Sequence, residues 1–311
     1  MRYKLSHYLA TFLFFVCLNA SALAQTTLIK FQHTPFPYQE STNSEKPFFD
    51  VTEQGRRGHK SSRAGIYWED ETYSDNRVLI SIPSQFRPTK SALIIVYLHG
   101  NMATLERDVR DRQQIPSQLS ESGLNAILVA PQFALDALDS SPGHFADPNY
   151  FKKFLNEVAV RVGQSKKNRA YAASLKQAKV IVVAYSGGYQ AAAAILENGG
   201  ANNRIAGVIL LDALYGREQT FANLFTTNPG SFLLSSFTEA ARTPNENLKA
   251  ILQTNSKNYT EALPEKIVPG NISFISLGPD VDHYTLLEGS WIDKPLTDIL
   301  RRIELRKKIS F

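Results

Sequence analysis

Val180-Ile-Val-Val-Ala-Tyr-Ser-Gly-Gly-Tyr-Gln-Ala-Ala-Ala-Ala-Ile195 decides the fold. Val180 to Ala184 is short, largely β-branched and uncharged, as a strand buried on both faces must be. From Tyr189 onward alanine dominates, which predicts a buried helix. Only Tyr185-Ser186-Gly187-Gly188 separates the two, so the chain must reverse in a tight strand-to-helix turn. Such a turn strains its central residue. Small residues two positions away, here Ala184 and Gly188, let strand and helix approach. The turn holds the Ser186 hydroxyl at the carboxyl end of the sheet. It also aims the first helical N–H groups at whatever that hydroxyl attacks.

This is the pattern of a nucleophile elbow, with Ala184 in place of the first glycine of G-x-S-x-G. At these residues the chain resembles the α/β-hydrolase superfamily. The resemblance extends to Leu98-His-Gly-Asn101, Asn125-Ala-Ile-Leu-Val-Ala-Pro-Gln132, Tyr185-Ser-Gly-Gly-Tyr189 and Leu211-Asp-Ala-Leu-Tyr-Gly216. These stretches look like a poorly characterised bacterial exported group, and the resemblance covers about residues 65–290. It implies an α/β-hydrolase fold, a mostly parallel central sheet with helices on both faces.

Upstream of the elbow, Gly65–Trp68 and Arg77–Ile82 read as strands that open the sheet in antiparallel fashion, and Ser91–Leu98 as a buried strand. A charged helix is expected from Thr104 to about Gln114. In the superfamily, the backbone just after a strand-ending His-Gly pair supplies one oxyanion-hole N–H, and the residue after the nucleophile supplies the other. The resemblance therefore assigns Gly187 and either Asn101 or Met102, with His99 as a structural part of that loop. Asn125–Pro131 is the next strand. The connection 132–150 should lie at the carboxyl edge, which makes His144 a candidate substrate contact, as is Tyr185 beside the nucleophile. Phe151–Val162 has helical spacing, with Phe154, Val158 and Val162 on one face.

Downstream, Ile205–Leu211 is a strand that delivers Asp212 at its carboxyl end, and Asn271–Leu277 is the last clear strand, followed by His283. Between them, residues 217–265 carry weak strand signal. They read either as a small cap or lid or as ordinary surface helices. A closing helix is expected from about Pro295. Residues 25–64 read as irregular, because prolines and the run Glu53–Lys60 interrupt any periodicity.

A serine hydroxyl is a poor nucleophile at neutral pH. It needs an imidazole within hydrogen-bond reach to take its proton and return it to the leaving group. A carboxylate must hold that imidazole in one tautomer. After the leader the chain has five histidines, His33, His59, His99, His144 and His283. Only His283 follows the elbow and a late strand, giving the order Ser, Asp, His of α/β-hydrolases. For the acid, Asp212 sits one strand past the elbow, a position that certain lipases use. Asp280, in a tight turn before His283, is the alternative.

The chain has 311 residues and a net charge of +5. Arg2 and Lys4 precede an apolar run, and Ala22-Leu-Ala24 gives a small-x-small pattern. Residues 1–24 thus read as a cleavable signal peptide, followed by an irregular segment 25–64 and a hydrolase domain 65–311. Removing the leader lowers the charge to +3, an excess too small to argue for nucleic acid. Cys17, the single cysteine, lies in the leader, which excludes disulfides, cysteine-ligated metal and cysteine catalysis in the remaining chain. No P-loop or dinucleotide fingerprint occurs, so no cofactor and no metal are expected, nor a membrane span after cleavage. The sequence therefore points to an exported serine hydrolase, periplasmic or secreted, acting on a small-molecule or lipid-like ester. Two other readings remain open: an envelope peptidase or amidase with the same triad, and a non-catalytic binding protein on the same scaffold.

Overall fold

The computed structural model describes residues 25–38, 47–61 and 63–304. The leader read at 1–24, with Cys17, lies outside the described residues.

Eleven strands occur among the described residues: β1 (Gln25–Lys30), β2 (Val51–Glu53), β3 (Arg56–Lys60), β4 (Ile66–Trp68), β5 (Arg77–Ile82), β6 (Leu93–Leu98), β7 (Ala126–Pro131), β8 (Lys179–Tyr185), β9 (Ile205–Leu211), β10 (Phe232–Phe237) and β11 (Ile272–Ser276). Eight form one sheet in the order β1-β5-β7-β6-β8-β9-β10-β11, and β2-β3-β4 form a small antiparallel sheet. β1 and β5 run antiparallel to their neighbours, and every pair from β7 to β11 is parallel. The elbow strand β8 sits inside the parallel part, so both its edges are paired and its side chains are covered on both faces.

The helices are α1 (Glu69–Thr72), α2 (Ile115–Ser122), α3 (Tyr150–Ser165), α4 (Arg169–Gln177), α5 (Tyr189–Asn198), α6 (Glu218–Thr227), α7 (Arg242–Thr254) and α8 (Pro295–Arg301). The pleat decides which of them each strand residue meets. Ile94, Val96 and Leu98 of β6 and Val180, Val182 and Ala184 of β8 face the apolar sides of α3, α5, α6 and α7. Leu93, Ile95 and Tyr97, with Ile181, Val183 and Tyr185, face α2 and α8. Each fully buried Val or Ile contributes about 1.5–3 kcal/mol relative to exposure. This is why charge-free runs at these positions commit the segment to the sheet centre.

The helix expected at 104–114 is a π-helical run, Leu105–Arg112, in which Gln113 N–H bonds Asp108 O. The irregular reading of 25–64 is corrected in two places: residues 25–30 are an edge strand in register with β5, with Thr26 Oγ1 donating to Ser81 Oγ, and the run Glu53–Lys60 lies in the hairpin of β2 and β3. Residues 217–265, open in the sequence between a cap and surface helices, supply β10, between β9 and β11, with α6 and α7 packed against the same core. β10 is hard to read because Ser235 and Ser236 are buried within it. The Ser235 hydroxyl is satisfied from α7, by Asn245 Oδ1 at 2.7 Å. No helix among the described residues is long and apolar enough to cross a membrane.

Candidate active site

Ser186 follows β8 directly and has φ +53°, the left-handed region that costs a non-glycine residue strain. Ser186–Gly188 form one 3-10 turn that leads into α5. The turn is pressed against the end of β6. A Cβ on Gly188 would lie 2.3 Å from the Leu98 carbonyl oxygen, and one on Gly100 would lie 2.7 Å from the Ser186 Cβ. Only glycine permits both approaches.

His283 Nε2 lies 2.8 Å from Ser186 Oγ, and His283 Nδ1 lies 2.6 Å from Asp212 Oδ2. An ionised carboxylate only accepts, so Nδ1 carries the proton and Nε2 is left to accept from the serine hydroxyl. Asp212 directly follows β9, at φ +43° and with no solvent exposure. Burial pushes its carboxyl pKa up. Hydrogen bonds from His283 and from the Thr238 N–H and hydroxyl, each at 2.8 Å, together with the charge of His283, outweigh burial and hold the pKa below its ordinary value. The Tyr215 hydroxyl adds a donor at 3.2 Å.

Asp280 is exposed and makes no bond to His283 among the described residues. Asp282 instead caps the turn after the histidine, accepting from Tyr284 N–H, Thr285 N–H and the Thr285 hydroxyl.

His99 is buried. Its Nδ1–H donates to Gly100 O at 2.7 Å, and its Nε2 accepts from Phe133 N–H and from Gln132, each at 2.9 Å. Burial, partly opposed by the bond to Gly100 O, lowers its pKa. The ring therefore stays neutral and clamps the loop after β6. In that loop the Met102 N–H bonds Ala137 O at 2.9 Å, whereas the Asn101 N–H meets no acceptor among the described residues.

Tyr185 is buried. Its ring stacks on the His283 ring at 5.1 Å and its hydroxyl donates to His283 O at 2.7 Å. His144 stacks on Tyr150 and pairs with Asp147 at 2.6 Å, and its own N–H bonds Pro35 O. Those contacts pin the chain around Pro35 to α3.

Sequence reasoning missed three contributors. Thr238 follows the unread strand β10. Tyr215 offers no signal except its closeness to Asp212. Arg63 lies in a stretch read as irregular, and its guanidinium donates to Leu138 O at 3.1 Å.

Four of the exposed large apolar side chains, Met102, Leu138, Tyr215 and Tyr284, belong to the loops that carry these groups. A separate cleft of about 670 Å³, lined by residues such as Asn149, Lys152 and Arg204, contains no member of the Ser186–His283–Asp212 constellation. Among the described residues, no three histidines or acids converge as metal ligands.

No family model and no curated protein matches the chain. Solved structures do. The feruloyl esterase module from Clostridium thermocellum complexed with sinapinate is 14% identical, covering 89% of this chain and 98% of that one, with TM-score 0.47. An S-formylglutathione hydrolase from Agrobacterium tumefaciens is 13% identical over 82% and 98%, with TM-score 0.46. An alpha-beta serine hydrolase homologue from Coxiella burnetii is 17% identical over 73% and 90%, with TM-score 0.40. At these scores the likenesses carry no argument about substrate, and the fold stands on the sheet itself. With two antiparallel strands leading a parallel series, a strained serine turn after the central β8, and helices on both faces, the chain has the α/β-hydrolase fold.

Proposed function

We propose that the chain is a serine hydrolase that cleaves an ester bond through Ser186, His283 and Asp212. One observation carries the reading: an unbroken hydrogen-bond line from Ser186 Oγ through both nitrogens of His283 to a buried carboxylate. His283 Nε2 takes the serine proton as Oγ attacks the ester carbonyl. The imidazolium that forms is stabilised by Asp212, which stays ionised. The proton then passes to the departing alkoxide, leaving an acyl-serine. Water attacks that acyl group with the same histidine as base, releasing the acid and restoring the hydroxyl. The Gly187 N–H at the start of the turn and the free Asn101 N–H are the donors for the tetrahedral oxyanion. Met102 N–H, engaged by Ala137 O, is the weaker candidate. The exposed apolar side chains around the site suit a small-molecule ester with apolar bulk. Residues 1–24 are proposed as a signal peptide that sends the enzyme to the periplasm or outside the cell. The amino-terminal sequence of the exported protein tests that.

Labelling with a fluorophosphonate probe tests the chemistry without knowledge of the substrate. Wild type should label and turn over simple acyl esters, and Ser186→Ala and His283→Ala should do neither. A well-folded wild type that never labels would overturn the reading.

A further inference from the structure

Arg63 lies on the segment between β3 and β4, far in sequence from every group described above, yet its guanidinium reaches the oxyanion loop. One nitrogen donates to Leu138 O at 3.1 Å. The other contact is the Asn101 carboxamide. Turned so that its nitrogen donates to Asp139 O and Ser140 Oγ, each at 2.9 Å, its oxygen accepts from both Arg63 terminal nitrogens, at 3.0 and 3.3 Å. The reverse orientation sets acceptor against acceptor and donor against donor, so the hydrogen-bond network selects this one. In that orientation the carboxamide nitrogen, the atom turned away from Arg63, lies 2.5 Å from where a Gly187 Cβ would stand. Arg63 is therefore separated from the residue after the nucleophile by a single side chain.

The acceptors that hold this guanidinium are neutral. Other arginines near the site are matched to carboxylates: Arg107 to Asp108 and Asp136, and Arg112 to Asp108 and Glu288. Arg63 has no carboxylate in ion-pair contact among the described residues. Its charge is exposed, and two acceptors fix its direction. A guanidinium has five N–H donors in a planar fork, so donors remain for a ligand. A cation held in place but not neutralised, at the edge of an acyl-transfer site, selects for a negative charge on the substrate. Nη2 already gives to Leu138 O and, with Nη1, to the Asn101 oxygen, so the donors left are Nε–H and one Nη1–H, on opposite edges, each able to meet one oxygen of an anionic group such as a carboxylate.

We propose that Arg63 is a specificity residue that recognises a carboxylate on the substrate, so that the preferred ester is acidic and carries its charge a few bonds from the reacting carbonyl. The proposal rests on the ester-hydrolase reading above. Two matched pairs test it. On the acyl side, 4-nitrophenyl hydrogen adipate is compared with 4-nitrophenyl hexanoate. On the leaving-group side, 4-acetoxybenzoate is compared with its methyl ester. The readout is the ratio of kcat/KM, acidic over neutral. In wild type at least one ratio should exceed about 10 and shrink as salt is added, since the cation is exposed. Arg63→Gln should lower that ratio at least about tenfold, Arg63→Lys should retain part of it, and Arg63→Glu should invert it. A purely structural role would lower both members of each pair together. Wild-type ratios near one in both pairs, or ratios that Arg63→Gln leaves unchanged, would overturn the proposal while ester turnover itself persists. If neither ester is turned over and the fluorophosphonate does not label, it is the hydrolase reading that fails.

Discussion

Asp212 has no contact with solvent, yet four donors from three directions converge on it: His283, the Thr238 backbone and hydroxyl, and Tyr215. His283 and the two Thr238 donors keep the carboxyl pKa depressed against the opposite pull of burial. The folded value thus lies below the unfolded one of about 3.9. The stability gained by holding the charge is complete above that unfolded value and is lost as pH falls through the folded one. Two outcomes follow for Asp212→Asn. Fluorophosphonate labelling and ester turnover at neutral pH should fall by about 10³–10⁴, because an amide no longer enforces the tautomer that leaves Nε2 free. In urea unfolding curves, the decline in stability below about pH 4 should become shallower than in wild type. An unchanged acid decline would mean that other carboxylates carry it. The serine and the histidine could be read from the sequence, since the elbow names one and chain order names the other. Asp212 and Asp280 could not be separated there, because the choice depends on how the loop after β11 folds back over β9. Thr238 could not be found at all, since only pairing between β9 and β10 brings it to the carboxylate.

At the scale of elements, the elbow works because two separate stretches are both glycine at the point of contact. Gly188 in the turn meets the Leu98 backbone and Gly100 after β6 meets the Ser186 side chain, and neither leaves space for a methyl group. Gly188→Ala would set a Cβ against the fixed Leu98 carbonyl, so strand, turn or loop must shift. The expected result is a folded protein, destabilised by about 1–3 kcal/mol, with labelling of Ser186 slowed by more than tenfold. Denaturant unfolding and probe kinetics on the same sample check both, and wild-type labelling would show that the turn absorbs the methyl group without cost. β5 to β9 were legible because charge-free runs bounded by turns allow few other readings. β1 and β10 were not. β1 is a half-buried edge strand in which polar and apolar residues do not alternate, Thr26 sharing a face with Leu28 and Thr27 with Ile29. β10 carries two buried serines, and the partner of Ser235, Asn245, comes from a helix later in the chain.

Over the whole molecule, the groups of the proposed triad hang from supports of unequal strength. The small sheet and the aromatic cluster of Phe36, Phe49 and Tyr73 back the loop whose Ala137 carbonyl anchors Met102. Tyr73 donates to Asp139 Oδ2 at 2.7 Å, within that same loop. Ser186 and Asp212 stand at the ends of paired central strands. His283 stands on neither strand nor helix. The stretch 277–294 is held by side chains reaching in from elsewhere: the Tyr185 hydroxyl on His283 O, Arg112 on Tyr284 O, and Gln118 on Leu287 O, with Leu286 and Leu287 buried beneath. Segments tied down in this way open at a fraction of the global unfolding free energy. On gentle heating, activity should therefore disappear several degrees before the far-ultraviolet circular dichroism changes, and should return on cooling. Simultaneous loss of both signals would mean that the segment melts with the sheet. Tyr185→Phe, which keeps the stacked ring and removes one tether, should widen the gap. The working temperature of the proposed hydrolase would then be set by the hold on one histidine rather than by the strength of its core, and amide exchange across 277–294 would record that upper limit directly.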